Sequence, residues 1–294
     1  MQPSALMRSG LRPAAAGIRA RNTLADSLFY DVDQLTGPEH DRLIRQTHRE
    51  GAILVVLPRG DARSVNVRKY QTFGSFRSAP GDLLEHFTIA GVGSSDVGAA
   101  ALARSLANHL DAPVGAIVAG YGLADIATEA LGGWFFFGAA SRWLSLANRL
   151  RHPGGFEADV VRADGADMRR SIGRTDTRTL VRLLSEPERR IETLLGHSKG
   201  CLSLSYALQT VARRARRDDL ERARDTAIVT TGAVVGFPPG LRRVRQYLGA
   251  LDWFGRVNSS LSNEHVLVHG AWHHLNRQIP MHMDLGRVLR GDYD

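Results

Sequence analysis

Short apolar runs alternate along this chain with longer segments whose apolar residues recur every three or four positions. "GPEHDRLIRQTHREG" (37–51) has the spacing of an amphipathic helix, and "AILVVL" (52–57), rich in β-branched residues, predicts a strand. From Leu83 the alternation becomes regular. "HFTIAGVG" (86–93) predicts a strand running into glycines, "SSDVGAAALARSLANHL" (94–110) a helix opened by a Ser/Asp start signal, and "APVGAIVAGYG" (112–122) a second buried strand. Helical spacing follows over 122–132 and about 134–150, then from Asp176 to Leu184. "RIETLL" (190–195) predicts a strand, the next stretch a helix to about Arg214, and the segments 225–236, 242–252 and 264–270 three more strands. Strands separated by helices of this length predict an α/β protein with a mostly parallel, doubly wound sheet and helices on both faces. In such sheets the working residues lie on loops beyond the carboxyl ends of the strands.

Composition narrows the picture. With 294 residues, 43% of them hydrophobic, the chain has enough apolar material for a sizeable core. Residues 1–30 are expected to be a disordered extension, and 31–294 one domain. The formal net charge of +8 suggests a nucleic-acid partner at first sight. Lys69 and Lys199 are the only lysines, however, so the charge is an arginine bias spread over the sequence. The densest run, "ARRARRDDLERARD" (212–225), mixes both signs at helical spacing and predicts a solvated helix face, not a phosphate-binding strip. No nucleic-acid partner is expected. No segment supplies the roughly 18 consecutive apolar residues of a membrane span. "ALGGWFFFGAA" (130–140) ends at Ser141 and Arg142. The single cysteine, Cys201, excludes an internal disulfide and a cysteine-rich zinc site, and the expected location is cytoplasmic.

The stretch "RIETLLGHSKGCLSLSYAL" (190–208) carries the chemistry. Gly196-His197-Ser198-Lys199-Gly200 follows a predicted strand and opens a predicted helix. In that context two glycines allow a turn so tight that the Ser198 hydroxyl stands clear of the backbone, while the helix start aims amide groups at an anion. A serine hydroxyl becomes a competent nucleophile when a histidine takes its proton and a carboxylate orients that histidine.

On these residues the chain resembles the α/β-hydrolase family, its lipase and esterase branch above all, over roughly 86–290. "GHSKG" with "TTGAVVG" downstream is also similar to class 3 lipases and related bacterial serine hydrolases. The resemblance implies a nucleophile at Ser198, a triad acid at Asp252 from the G-x-x-D ending of "LGALD" (248–252), and a base at His273 from "VHGAWHHL" (268–275). In that last stretch Trp272 stands where the family carries a second glycine. It also implies an oxyanion hole built from the Lys199 amide and an amide in Val92-Gly93. The aromatic stretch 134–143, within 122–150, reads either as core or as an apolar helical cap over the substrate. The expected function is hydrolysis of a hydrophobic ester or lipid through an acyl-enzyme, with no cofactor and no metal.

Alternatives remain open from the residues alone. His274 and His282 are further candidates for the base, and Asp225 also borders a strand. "GVGSSDVG" (91–98) resembles a dinucleotide loop, although Asp96 would oppose a pyrophosphate at that helix start. Histidines 265, 269, 273, 274 and 282 crowd the C-terminal region, where a zinc site would also need a carboxylate or cysteine. The same triad would serve an acyltransferase or a polyester (polyhydroxyalkanoate-type) depolymerase. A non-catalytic binding protein of hydrolase fold would keep the serine and leave the triad unassembled.

Overall fold

The computed structural model describes residues 26–81, 83–91, 94–119, 175–213 and 217–293. The described helices are α1 (Gly37–Arg45), α2 (Phe73–Arg77), α3 (Asp96–Leu110), α4 (Thr175–Leu184), α5 (Lys199–Arg213), α6 (Arg217–Ala223), α7 (Trp253–Val257) and α8 (Leu285–Arg290). The strands are β1 (Ile53–Val56), β2 (Val67–Tyr70), β3 (His86–Ile89), β4 (Val114–Ile117), β5 (Thr193–His197), β6 (Ala227–Thr231), β7 (Arg243–Gly249) and β8 (Val266–Val268).

All eight strands form one sheet in the order β2-β1-β4-β3-β5-β6-β7-β8. The six from β4 to β8 run parallel to one another, whereas β1 is antiparallel to both β2 and β4. The expectation of a mostly parallel sheet holds, with an antiparallel edge added to it.

Alternation along the strands sorts side chains to two faces, as the period of two requires. Leu54, Ala116, Leu195 and Val229 pack with the alanine-rich face of α3, with Leu43 of α1 and with Val288 of α8. Ile53, Ile117, Leu194 and Ile228 point the other way, onto Leu180 of α4, Leu204 of α5 and Phe76 of α2. Helices therefore cover both faces. Among the described residues no helix is long and apolar enough to cross a membrane.

The boundary expected at residue 30 is too late. Residues 26–29 are helical, and Asp26 and Tyr30 are buried at 1% and 2% exposure. The i, i+4 spacing puts both on one face of that turn, facing the domain. The rest of the expected extension, and the expected cap over 122–150 with its aromatic stretch, lie outside the described residues.

Candidate active site

Because β3, β5, β6, β7 and β8 run in one direction, their carboxyl ends open on the same edge of the sheet. Ser198 comes directly after β5, Asp252 three residues after β7, and His273 five residues after β8.

Ser198 adopts a left-handed backbone, φ +55°, between β5 and α5. A non-glycine residue there carries strain of about 1–3 kcal/mol, which surrounding structure must hold in place. The two flanking glycines show how it is held. A Cβ on Gly196 would meet Leu204 Cδ1 at 2.6 Å, and one on Gly200 would fall within 2.9 Å of the Ala90 carbonyl oxygen and nearer still to Ile89. The elbow is pressed against β3 and its own helix so closely that only hydrogen fits.

His273 joins the other two residues. Its Nδ1–H donates to Asp252 Oδ2 at 2.7 Å, and its Nε2 lies 2.9 Å from Ser198 Oγ, the geometry in which the hydroxyl donates to the imidazole. Asp252 is fully buried, and its second oxygen accepts from the Gly255 amide at 2.6 Å. This aspartate is both the N-cap of α7 and the histidine's partner. The rings of Phe254 and Phe29 meet the His273 imidazole edge to face, at 4.8 and 5.8 Å between centroids. They pack against its two flanks and so restrict its plane.

The other candidates are placed elsewhere. His274 Nε2–H donates to the Pro280 carbonyl at 3.1 Å, and His282 Nδ1 bonds the Ile279 carbonyl at 3.2 Å. Asp225 pairs with Arg242 on the surface. Lys199 opens α5 beside Ser198, so its amide belongs to the helix start. Val92 and Gly93, the expected partners in an oxyanion hole, lie outside the described residues. Neighbouring Gly91 is described: a Cβ there would stand 3.1 Å from Ser198 Cβ, which puts the loop after β3 against the elbow.

The start of α3 is already occupied by acids. Asp96 is bonded to buried Lys69 and to His48, and the Asp26 carboxylate accepts from the Ser95 amide and hydroxyl. Two carboxyl groups sit where a pyrophosphate would need to approach, which argues against a dinucleotide loop. Among the described residues, the one group of side chains with metal-ligand spacing is Glu85, His86 and Glu192 at the opposite edge of the sheet, clear of the C-terminal histidines.

Three residues of the site carried no sequence signal. Tyr30 O–H donates to His197 Nδ1 at 2.8 Å and accepts from the Gly91 amide at 2.7 Å. His197 Nε2–H donates to the carbonyl of His273 at 2.9 Å. Burial, reinforced by neighbouring His273, pushes the His197 pKa down to about 3, so the ring stays neutral. Burial likewise raises the Tyr30 hydroxyl well above its usual value. Asp26, buried against Ser95, has its pKa raised to about 7, desolvation outweighing the donors that favour its charged form. No protein-family model, curated protein or solved structure matches the chain.

Proposed function

We propose that the protein is a serine hydrolase of the α/β-hydrolase type, cleaving carboxylic esters of hydrophobic character through an acyl-enzyme. The observation that carries this reading is the unbroken hydrogen-bonded line Ser198–His273–Asp252, hung from a strained serine at a strand-to-helix turn. A binding protein has no need to hold a serine at positive φ against a correctly oriented imidazole.

In the first step Ser198 Oγ attacks the ester carbonyl carbon while its proton passes to His273 Nε2. Asp252 keeps the Nδ1–H tautomer in place and stabilises the imidazolium that forms. The tetrahedral oxyanion takes hydrogen bonds from the Lys199 amide and from an amide of the loop after β3. Each such donor is worth about 3 kcal/mol in comparable enzymes. Collapse of the intermediate breaks the ester C–O bond, and the leaving alkoxide receives the proton from His273. Water then attacks the acyl-enzyme by the same route in reverse, freeing the acid and restoring Ser198.

A hydrophobic substrate is supported by what surrounds the triad. The three most exposed large apolar side chains among the described residues are Met281, Trp253 and Leu251, at 55, 52 and 50%. Leu251 and Trp253 flank Asp252, and the Met281 carbonyl accepts from the amide of Trp272, next to His273. Exposed apolar side chains next in sequence to Asp252 offer surface on which an apolar ligand can rest.

The test is reaction with a fluorophosphonate probe together with turnover of p-nitrophenyl esters of graded chain length. Labelling at Ser198 and hydrolysis of the esters, both lost in Ser198→Ala, are the expected results. A folded protein that neither labels nor turns over any ester would overturn the reading in favour of a binding protein. Product analysis with added alcohol separates hydrolysis from acyl transfer.

A further inference from the structure

The loop after β3, the elbow after β5 and the loop after β8 each carry part of the proposed machinery, and they are joined through two buried side chains. We propose that Tyr30 and His197 form a buried positioning relay that fixes Gly91, where the chain leaves β3, and the base loop relative to the nucleophile. The inference rests on the ester-hydrolase reading above.

The bonds have only one consistent set of directions. The Gly91 amide can only donate, so the Tyr30 oxygen accepts from it at 2.7 Å and sends its own proton to His197 Nδ1 at 2.8 Å. The carbonyl of His273 can only accept, so His197 Nε2 carries a proton and donates it at 2.9 Å. A single neutral tautomer satisfies both ends, and burial keeps His197 in that neutral form through the pH range where esterases work. The chain of bonds thus runs from the loop after β3, through the residue immediately before the nucleophile, to the backbone of the base itself.

A second contact strengthens the hold. The Tyr30 N–H bonds the Asp26 carbonyl at 2.8 Å, one helical turn, and Asp26 accepts from the amide of Ser95. The segment 26–30 therefore bonds to two described points after β3, Tyr30 to Gly91 and Asp26 to Ser95. Gly98 on α3 has no Cβ, and one built there would run into the Asp26 carboxylate. Gly232, at φ +73°, leaves room on the other side, since a Cβ there would stand 3.0 Å from His273 Cε1 and 3.3 Å from His197 Nε2.

Misplacing a reacting group by about 1 Å costs on the order of a hundredfold in rate, while bonds that only hold the fold leave the chemistry of each folded molecule unchanged. The deciding variant is Tyr30→Phe, which removes one oxygen and keeps the buried ring. The measurement is kcat per active site, with sites counted by fluorophosphonate titration, and KM for p-nitrophenyl acetate. The expected result is a fall in kcat of about tenfold or more with KM within about twofold of the wild type. His197→Gln retains a donor near Nε2 and loses the acceptor for Tyr30; it should fall less than His197→Phe, which loses both. Tyr30→Phe combined with His197→Gln should fall by less than the product of the single losses, because the two act through one chain. Should Tyr30→Phe fail to fold, His197→Gln against His197→Phe decides by the same criterion. Unchanged kcat per titrated site in these variants, whatever happens to their melting temperature, overturns the relay and leaves the hydrolase reading standing. A wild-type protein unreactive to the probe and to every ester removes both.

Discussion

Asp26→Asn should change how stability depends on pH, and the change can be worked out in sign and size. Asp26 is buried at 1% exposure beside Ser95, and its pKa rises from an ordinary 3.8 to about 7. Burial is the main cause, opposed by donors from Ser95 and Gly98 and assisted by the nearby Asp96 charge. Between pH 4 and 7 the folded protein keeps this proton and the unfolded chain does not. Stability from this group is therefore fully present below pH 4 and is lost as pH rises through 7. At about 1.4 kcal/mol per pH unit the loss is about 4 kcal/mol. Asparagine imitates the protonated carboxyl, donating one hydrogen bond and accepting others, and it does not titrate. The variant should match the wild type near pH 4 and exceed it by about 4 kcal/mol at pH 8. Urea unfolding followed by tryptophan fluorescence, run on both proteins at each pH from 4 to 8, measures the difference directly. A stability difference that stays constant across that range would refute the reasoning.

His197 acts in the opposite sense. Its pKa falls from 6.5 to about 3, so the stability it contributes is present above pH 6.5 and is lost as pH drops toward 3. From pH 4 to 6.5 the two groups oppose each other, and the wild-type curve is flattened by their sum. Removing the Asp26 titration leaves the His197 slope exposed, so the variant itself should lose stability steadily on acidification below pH 6.5.

Ser198→Ala and Ser198→Gly should both lose several orders of magnitude in ester turnover. Of the two, Ser198→Gly should be the more stable by about 1 kcal/mol in urea unfolding, because glycine carries no penalty at φ +55°. His273→Ala should be folded and nearly inactive, whereas His274→Ala and His282→Ala, whose wild-type rings bond the Pro280 and Ile279 carbonyls, should keep most of their rate per folded molecule. A dead His282→Ala beside an active His273→Ala would move the base. Trp253→Ser, at a half-exposed side chain beside Asp252, should raise KM for long-chain esters several-fold and leave acetate esters nearly unchanged. Equal effects on both would remove Trp253 from the acyl-binding surface.

The residues that sequence periodicity could find differ from those it could not in how far their reasons reach along the chain. β1, β3, β5 and β6 are apolar runs, and α3 and α4 are long enough to display a helical period, so a window of a dozen residues contains their whole explanation. The elbow is legible for the same reason, since the need for two glycines around Ser198 is written within five positions. β2 reads Val-Arg-Lys-Tyr and sits at the sheet edge with only Val67 buried, so it shows no apolar run. α2, α7 and α8, at five or six residues each, are shorter than two helical turns and display no period. The link between Tyr30 and His197 spans 167 positions, and no local pattern encodes it. Tyr30 follows a polar, arginine- and alanine-rich stretch that reads as a tail, and His197 occupies a motif position that the pattern leaves unspecified. Yet the sheet brings both to the edge where β3, β5 and β8 end, and there a hydroxyl and an imidazole satisfy buried backbone groups that no neighbour in sequence could reach. Local spacing marks the groups proposed to react, whereas the groups that would orient them are chosen by topology. Substitutions that change turnover without touching substrate should therefore concentrate at such unspecified positions and at distant side chains that bond to them.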